Sequence, residues 1–247
     1  MDDELVREWR AAEQGAVLLD GFHPLKHALR FGGEVRRVLT ADRGALLALA
    51  GELAPDVVPA LDVLAVEVTE ERLRGLAPRL HPTGVVALAV RPSVEANRAA
   101  LGLLPRRAPV VVLENPRNLG NVGAVIRLAA GFGATGVVTT GELDPWHPTV
   151  LRGSAGLHFA TAVERVSLPE LPAGPLYVLD PEGVDIRDLP FPDDALLAFG
   201  TERHGVSAEL KERADRLVAV PMQAGVSSFN LATSVAMGLF HWMSGRR

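Results

Sequence analysis

With 247 residues, 48% of them hydrophobic, the chain is long enough for one large domain or two modest ones and too apolar for a disordered protein. No apolar run approaches the roughly 18–20 residues that span a bilayer, the opening MDDELVREWR lacks a signal-peptide core, and the absence of cysteine removes disulfides, thiolate nucleophiles and cysteine-ligated zinc, so a cytoplasmic protein is expected. The formal net charge of −5, spread as 14 basic and 15 acidic residues over 1–107 and 11 and 15 over 108–247, confines any polyanion site to a local arginine cluster.

The first hundred residues alternate helix-like stretches (ELVREWRAA, HPLKHALRFG, TEERLRGLA) with short apolar runs (VRRVLTA, LAVEV, GVVALAV), which predicts a small α/β domain over 1–95. His23 and His27 form H-x-x-x-H, but without an adjacent glutamate or a third ligand they predict no metal site. Prolines bracket a polar stretch in RPSVEANRAALGLLPRRAP, read as a break with a linker over 96–108. Of the 25 basic residues only Lys26 and Lys211 are lysine, leaving 23 arginines, a bias first attributed to coding preference.

From 109 to 247 the apolar runs at 110–113, 136–140, 176–180, 195–199 and 217–220 predict strands, and 121–131, 207–214 and 228–244 predict helices. These strands are continuously apolar, the mark of a mostly parallel sheet covered on both faces. Residues 131–136, GFGATG, have the letters of a dinucleotide fingerprint in the wrong order. They close a helix and enter a strand, whereas a pyrophosphate needs glycines that leave a strand and open a helix.

Ligands bind beyond the carboxyl ends of such strands, and three of those ends carry unusual segments. ENPRNLGNVGAVIR groups Asn118, Asn121 and Arg127 around glycines, with Asn121 as the expected N-cap. GTERHGVS leaves a strand through Gly200 and starts a helix at Ser207, with Glu202 placed to bind a hydroxyl or pair with an arginine, and His204 within RNA reach or simply exposed. PMQAGVSSFNLAT puts Ser228, the expected N-cap, and Asn230 at the head of an apolar helix, where an asparagine needs a specific hydrogen bond.

Together these segments resemble the three motifs of the SpoU (TrmH-type) branch of the SPOUT RNA methyltransferases. Motif one, N-x-G-x-x-x-R, is matched by Asn121, Gly123 and Arg127; motif two, G-x-E-x-x-G-x-S, by Gly200, Glu202, Gly205 and Ser207; and motif three by Pro221, Met222, Gly225, Ser228 and Asn230. The likeness covers about 108–245. Phe229, Ala232 and Thr233 depart from the commoner SLNVS, but Phe229 still offers an apolar wall. GFHPLKHAL and PTGVVALA are similar to the small RNA-binding domain that precedes many members.

The resemblance implies an α/β domain with a deep trefoil knot, a homodimer, and transfer of a methyl group from S-adenosylmethionine to a ribose 2′-oxygen. Ribosomal RNA is the first expectation for the target, with transfer RNA or a non-catalytic RNA-binding homologue as alternatives. It implies cofactor contacts at Thr139, Gly200, Val220, Met222 and Phe229, and catalytic or RNA-contacting roles for Asn121, Arg127, Glu202, Ser228 and Asn230. Arg127 is a base in one version and a phosphate holder that acidifies the 2′-hydroxyl in the other. The second suits a guanidinium that stays protonated. Arg152 and Ser154 of LRGSAG stand where members build the active site and dimer contact, or at a surface helix end.

Overall fold

The computed structural model describes residues 2–77, 80–201 and 205–246. The chain forms two compact units, Met1–Pro92 with Ala155–Ala160, and Ser93–Ser154 with Thr161–Arg247.

The first unit runs α1 (Asp2–Glu13), β1 (Ala16–Asp20), α2 (Phe22–Arg30), β2 (Val35–Thr40), α3 (Arg43–Leu53), α4 (Val58–Leu64), β3 (Ala65–Glu67), α5 (Glu70–Leu76) and β4 (Val85–Val90). Its sheet has the order β1-β4-β2-β3, with β4 antiparallel to both neighbours and β3 parallel to β2. Trp9 of α1 is buried against Leu39, Leu73, Val86 and Leu88, which explains the apolar spacing of ELVREW. Strand β1 and helices α3 and α4 were not read in the sequence.

Residues Ala155–Ala160 belong to this unit although the chain reaches them late. The His27 ring donates from Nδ1 to the Ala155 carbonyl at 2.7 Å. Gly156 has φ 74°, and a Cβ there would lie 2.6 Å from Pro24 Cα, so glycine is required on both counts.

The second unit runs α6 (Val94–Gly102), β5 (Val110–Leu113), α7 (Leu119–Phe132), β6 (Gly136–Thr139), α8 (Pro148–Gly153), β7 (Ala162–Arg165), β8 (Leu176–Asp185), β9 (Leu196–Phe199), α9 (Ala208–Glu212), β10 (Arg216–Ala219) and α10 (Leu231–Ser244). Its six strands are all parallel in the order β10-β8-β9-β5-β6-β7. Strands β5, β6 and β9 are buried along their whole length, as continuous apolar runs require when both faces are covered.

Residues 96–108, expected to link, carry most of α6. Ser93 caps that helix, and its Leu101 packs into a core with Val110, Val112, Val138, Val178 and Leu196. Burying a leucine of this kind contributes about 2 kcal/mol. Arg106 is also buried and donates to the carbonyls of Leu101, Ala173 and Asp194. Strand β7 went unread because two of its four residues are charged. Its Glu164 is buried and accepts from Asn97 Nδ2 at 3.2 Å. The glycines of GFGATG end α7, where Gly133 takes the left-handed C-cap conformation with φ 71°, and lead into β6.

Candidate active site

Motif one starts where β5 ends. Asn115 turns the chain at φ 43°, its amide donating to Thr140 Oγ1 at 2.9 Å. Asn118, rather than the expected Asn121, caps α7 and accepts the Asn121 amide at 3.0 Å. Asn121 therefore falls within the first turn of the helix, and its Oδ1 accepts a hydrogen bond from Asn230 Nδ2 at 3.2 Å, from 109 residues away.

In motif three the cap is displaced the other way. Asn230, not Ser228, caps α10, and its Oδ1 accepts the amides of Ala232 at 2.9 Å and Thr233 at 3.4 Å. One side-chain amide thus caps its own helix through oxygen and reaches the other helix through nitrogen.

Motif two leaves β9 at Gly200. A Cβ at Gly200 would collide with the backbone of Gly205 and Val206, because the loop folds back through a bridge in which Thr201 and Gly205 exchange amide–carbonyl bonds at 2.9 and 3.1 Å. Glycine here admits the chain's own return. The loop ends at Ser207, which caps α9 as expected. The buried carboxylate of Glu114, one residue past β5, accepts both the Ser207 hydroxyl and the Ser207 amide, the latter at 2.8 Å, and so ties motif two to the root of motif one.

A cavity of about 540 Å³ opens between motifs two and three. Val218, Val220, Met222, Phe229 and Leu231 form its apolar wall, while Gly200, Ser228 and Ser234 add polar backbone and hydroxyls. Asp180, Glu182 and Lys211 add charge to the lining. Asp180, 6% exposed, takes Lys211 Nζ at 2.6 Å, and Glu182 lies 3.9 Å from the same nitrogen. The Asp180 carboxylate holds the Lys211 ammonium above the usual lysine range.

Of the residues expected at the cofactor, Gly200, Val220, Met222 and Phe229 meet in this cavity, with Phe229 41% exposed. Thr139 does not. It is 0% exposed within β6 and does not line the cavity, whereas the next residue, Thr140, carries the hydroxyl that meets the motif-one loop.

Among the residues expected to act on RNA, Asn121 and Asn230 are bonded to each other and Ser228 lines the cavity. Glu202 and His204 lie outside the described residues. Arg127 is exposed on α7 and lines a separate depression of about 470 Å³ with Ala124, Leu128, Gly131, Phe132 and Gly153. Motifs two and three line the cavity, and Asn121 of motif one is tied to motif three through its hydrogen bond from Asn230. Gly153 brings LRGSAG to the Arg127 depression, a Cβ at Gly123 would lie 2.8 Å from Val150 O, and the Ser154 hydroxyl is buried and donates to Leu151 O.

Residues 108–240 match the SpoU rRNA Methylase family. The chain belongs to that family. An uncharacterised tRNA/rRNA methyltransferase of Synechocystis sp. is 30% identical, the alignment covering 92% of this chain and 84% of that protein. The 23S rRNA (uridine(2479)-2′-O)-methyltransferase of Streptomyces viridochromogenes is 29% identical over 92% of this chain and 82% of its own. The crystal structure of an AdoMet-bound rRNA methyltransferase from Sinorhizobium meliloti superposes with a TM-score of 0.78, at 24% identity and with 100% and 97% of the two chains covered, which shows a shared fold.

Within this SpoU-family chain three residues of the site went unread. Glu114, Asp180 and Lys211 belong to none of the three motifs. The rarity of lysine among the cations was the one visible signal.

Proposed function

We propose that this chain is an RNA ribose 2′-O-methyltransferase that uses S-adenosylmethionine and acts on ribosomal RNA in the cytoplasm. Family membership supports the reaction, and the 2′-O-methylated 23S rRNA named for the Streptomyces relative supports the target. The observation that carries the reading is the Asn230–Asn121 hydrogen bond, which locks motif one to motif three beside a cavity lined by motifs two and three.

The cavity fits the cofactor. Its volume is within the range of small-molecule sites, roughly 300–1,000 Å³, and a lining that combines apolar and charged side chains suits a ligand with a flat base and charged groups. When bound, S-adenosylmethionine supplies an electrophilic methyl group on a sulfonium. Val220, Met222 and Phe229 would hold the cofactor against apolar surface, and Gly200 would offer it the backbone of the motif-two turn. Ser228, Asn121 and Asn230 orient the ribose, the two asparagines through a bond that already exists in the free protein. Arg127 holds the neighbouring phosphate as a planar cation and lowers the pKa of the 2′-hydroxyl; its guanidinium is not a base. Glu202 completes the set from the motif-two loop.

We further assign to the second unit the deep trefoil knot that goes with its family, and to the first unit the capture of RNA. The working form is a homodimer. Arg127 stands outside the cavity of its own chain, and Phe240 and Met243 of α10 are 59% and 42% exposed, an apolar surface suited to a second copy that brings Arg127 to the neighbouring cavity.

The test is transfer of label from methyl-labelled S-adenosylmethionine to total RNA, followed by mapping of reverse-transcription stops at low nucleotide concentration. Label in ribosomal RNA at a 2′-oxygen is expected. Label confined to transfer RNA would move the target, and no transfer to any RNA would overturn the enzyme reading.

A further inference from the structure

The charged part of the cavity lining belongs to none of the three motifs. Strand β8 creates it by leaving its partner: Leu217 of β10 pairs with Val178, but the next residue, Val218, pairs with Val184, so residues 179–183 bulge out of the ladder. Bulges of this kind re-aim side chains beside sites. Here the bulge delivers Leu179, Asp180, Pro181 and Glu182 to the cavity wall. Gly183 lets the strand rejoin, because a Cβ there would strike the backbone of Leu217 and Val218.

Asp180 is held in a particular way. Its Oδ1 accepts the Glu182 amide at 3.0 Å and its Oδ2 takes Lys211 Nζ at 2.6 Å. A carboxylate offers about four acceptor directions, so each oxygen keeps about one for the cavity. In a chain with 23 arginines and two lysines, the cation chosen here is lysine. An arginine would grip both oxygens with its fork and use those directions up, whereas an ammonium takes one and leaves the rest. With the Asp180 side chain 6% and the Lys211 side chain 32% exposed, the lysine reaches the carboxylate from the solvent side and leaves the carboxylate available.

We propose that Asp180 is the sugar-recognition residue of this cavity, its two oxygens accepting the vicinal 2′- and 3′-hydroxyls of the cofactor's adenosyl ribose, with Lys211 as the positioning residue that keeps the carboxylate turned to the cavity. The assignment rests on the methyl-donor reading. Vicinal hydroxyls point to the cofactor and not to the RNA strand, where the 3′-oxygen of every internal ribose is esterified. Glu182, largely exposed, adds negative charge at the mouth and balances Lys211.

Calorimetry on the full-length protein with S-adenosylhomocysteine and its 2′-deoxy analogue tests this. The wild type should bind the deoxy analogue about 10- to 100-fold more weakly, the usual loss for one hydrogen bond to a charged group. Asp180→Asn should lower affinity for S-adenosylhomocysteine about tenfold or more and bring the two ligands within about threefold of each other. Lys211→Arg keeps the charge and the ion pair, so a purely structural role leaves binding unchanged; on this proposal it narrows the discrimination as Asp180→Asn does. Should Asp180→Asn melt early, Lys211→Arg carries the test alone. Equal binding of both ligands by the wild type overturns the assignment while the cofactor reading stands. No binding of S-adenosylhomocysteine at millimolar concentration overturns both.

Discussion

Helices α7 and α10 are each 14 residues long, each starts on an asparagine, and each carries one of the outer motifs, yet the two asparagines do different work. Asn118 accepts the amide of Asn121 in its own first turn. Asn230 satisfies two amides of its own helix and also donates to Asn121 of α7. A cap is a local device worth about 1 kcal/mol. The same residue becomes part of a site only when its second polar atom is aimed at another element.

Three experiments press on this contrast. The largest effect is expected from the outward side of α7: Arg127→Ala should cut methyl transfer about 10²- to 10³-fold, the scale for losing one preorganised charge-stabilising group. Affinity for S-adenosylhomocysteine should not change, since the role assigned to Arg127 is to the RNA phosphate and not to the cofactor. Arg127→Lys should recover only part of the rate, and full recovery would show that bare charge suffices. Next comes the direct comparison of caps. Both Asn118→Ala and Asn230→Ala should lower stability by about 1 kcal/mol in denaturant unfolding, but only Asn230→Ala should lower turnover as well, about tenfold, by releasing Asn121. Equal turnover losses would erase the distinction drawn between the two helices.

The smallest effect is set away from both helices and serves as their control. Burial pushes the His27 imidazole below its ordinary 6.5, despite the hydrogen bond to the Ala155 carbonyl. The folded protein then holds the neutral ring at a pH where the unfolded chain is protonated, so this contribution to stability is full above pH 6.5 and is lost progressively as the pH falls below it. The melting temperature of the wild type should decline more steeply between pH 6.5 and 5 than that of His27→Gln. Parallel curves for the two proteins would contradict it.

Much of the second unit was legible because its physics is local. Continuously apolar runs announced a parallel sheet, and the three motifs stand at loops whose residue types make poor helix or strand interiors. The caps were misplaced by two or three residues because each motif offers several candidates in a row, Asn118 and Asn121 in one, Ser227, Ser228 and Asn230 in the other, and the choice depends on where the preceding loop delivers the chain. Glu114, Asp180 and Lys211 are acid and base residues of ordinary appearance, and only the pairing of strands far apart in sequence puts Glu114 beside Ser207 or takes Asp180 out of the β8–β10 ladder. In the first unit, β1 went unread although its AVLLD is apolar.

The six residues Ala155–Ala160, which the chain contributes late to its first unit, bear on any attempt to treat the two units as interchangeable parts. A fragment cut after Pro92 would expose Pro24 and leave the His27 ring and Gly33 without their Ala155 and Phe159 neighbours. Gene fusions that trade one amino-terminal module for another must therefore carry this hexapeptide along, or redesign it, since its fit belongs to the module being replaced.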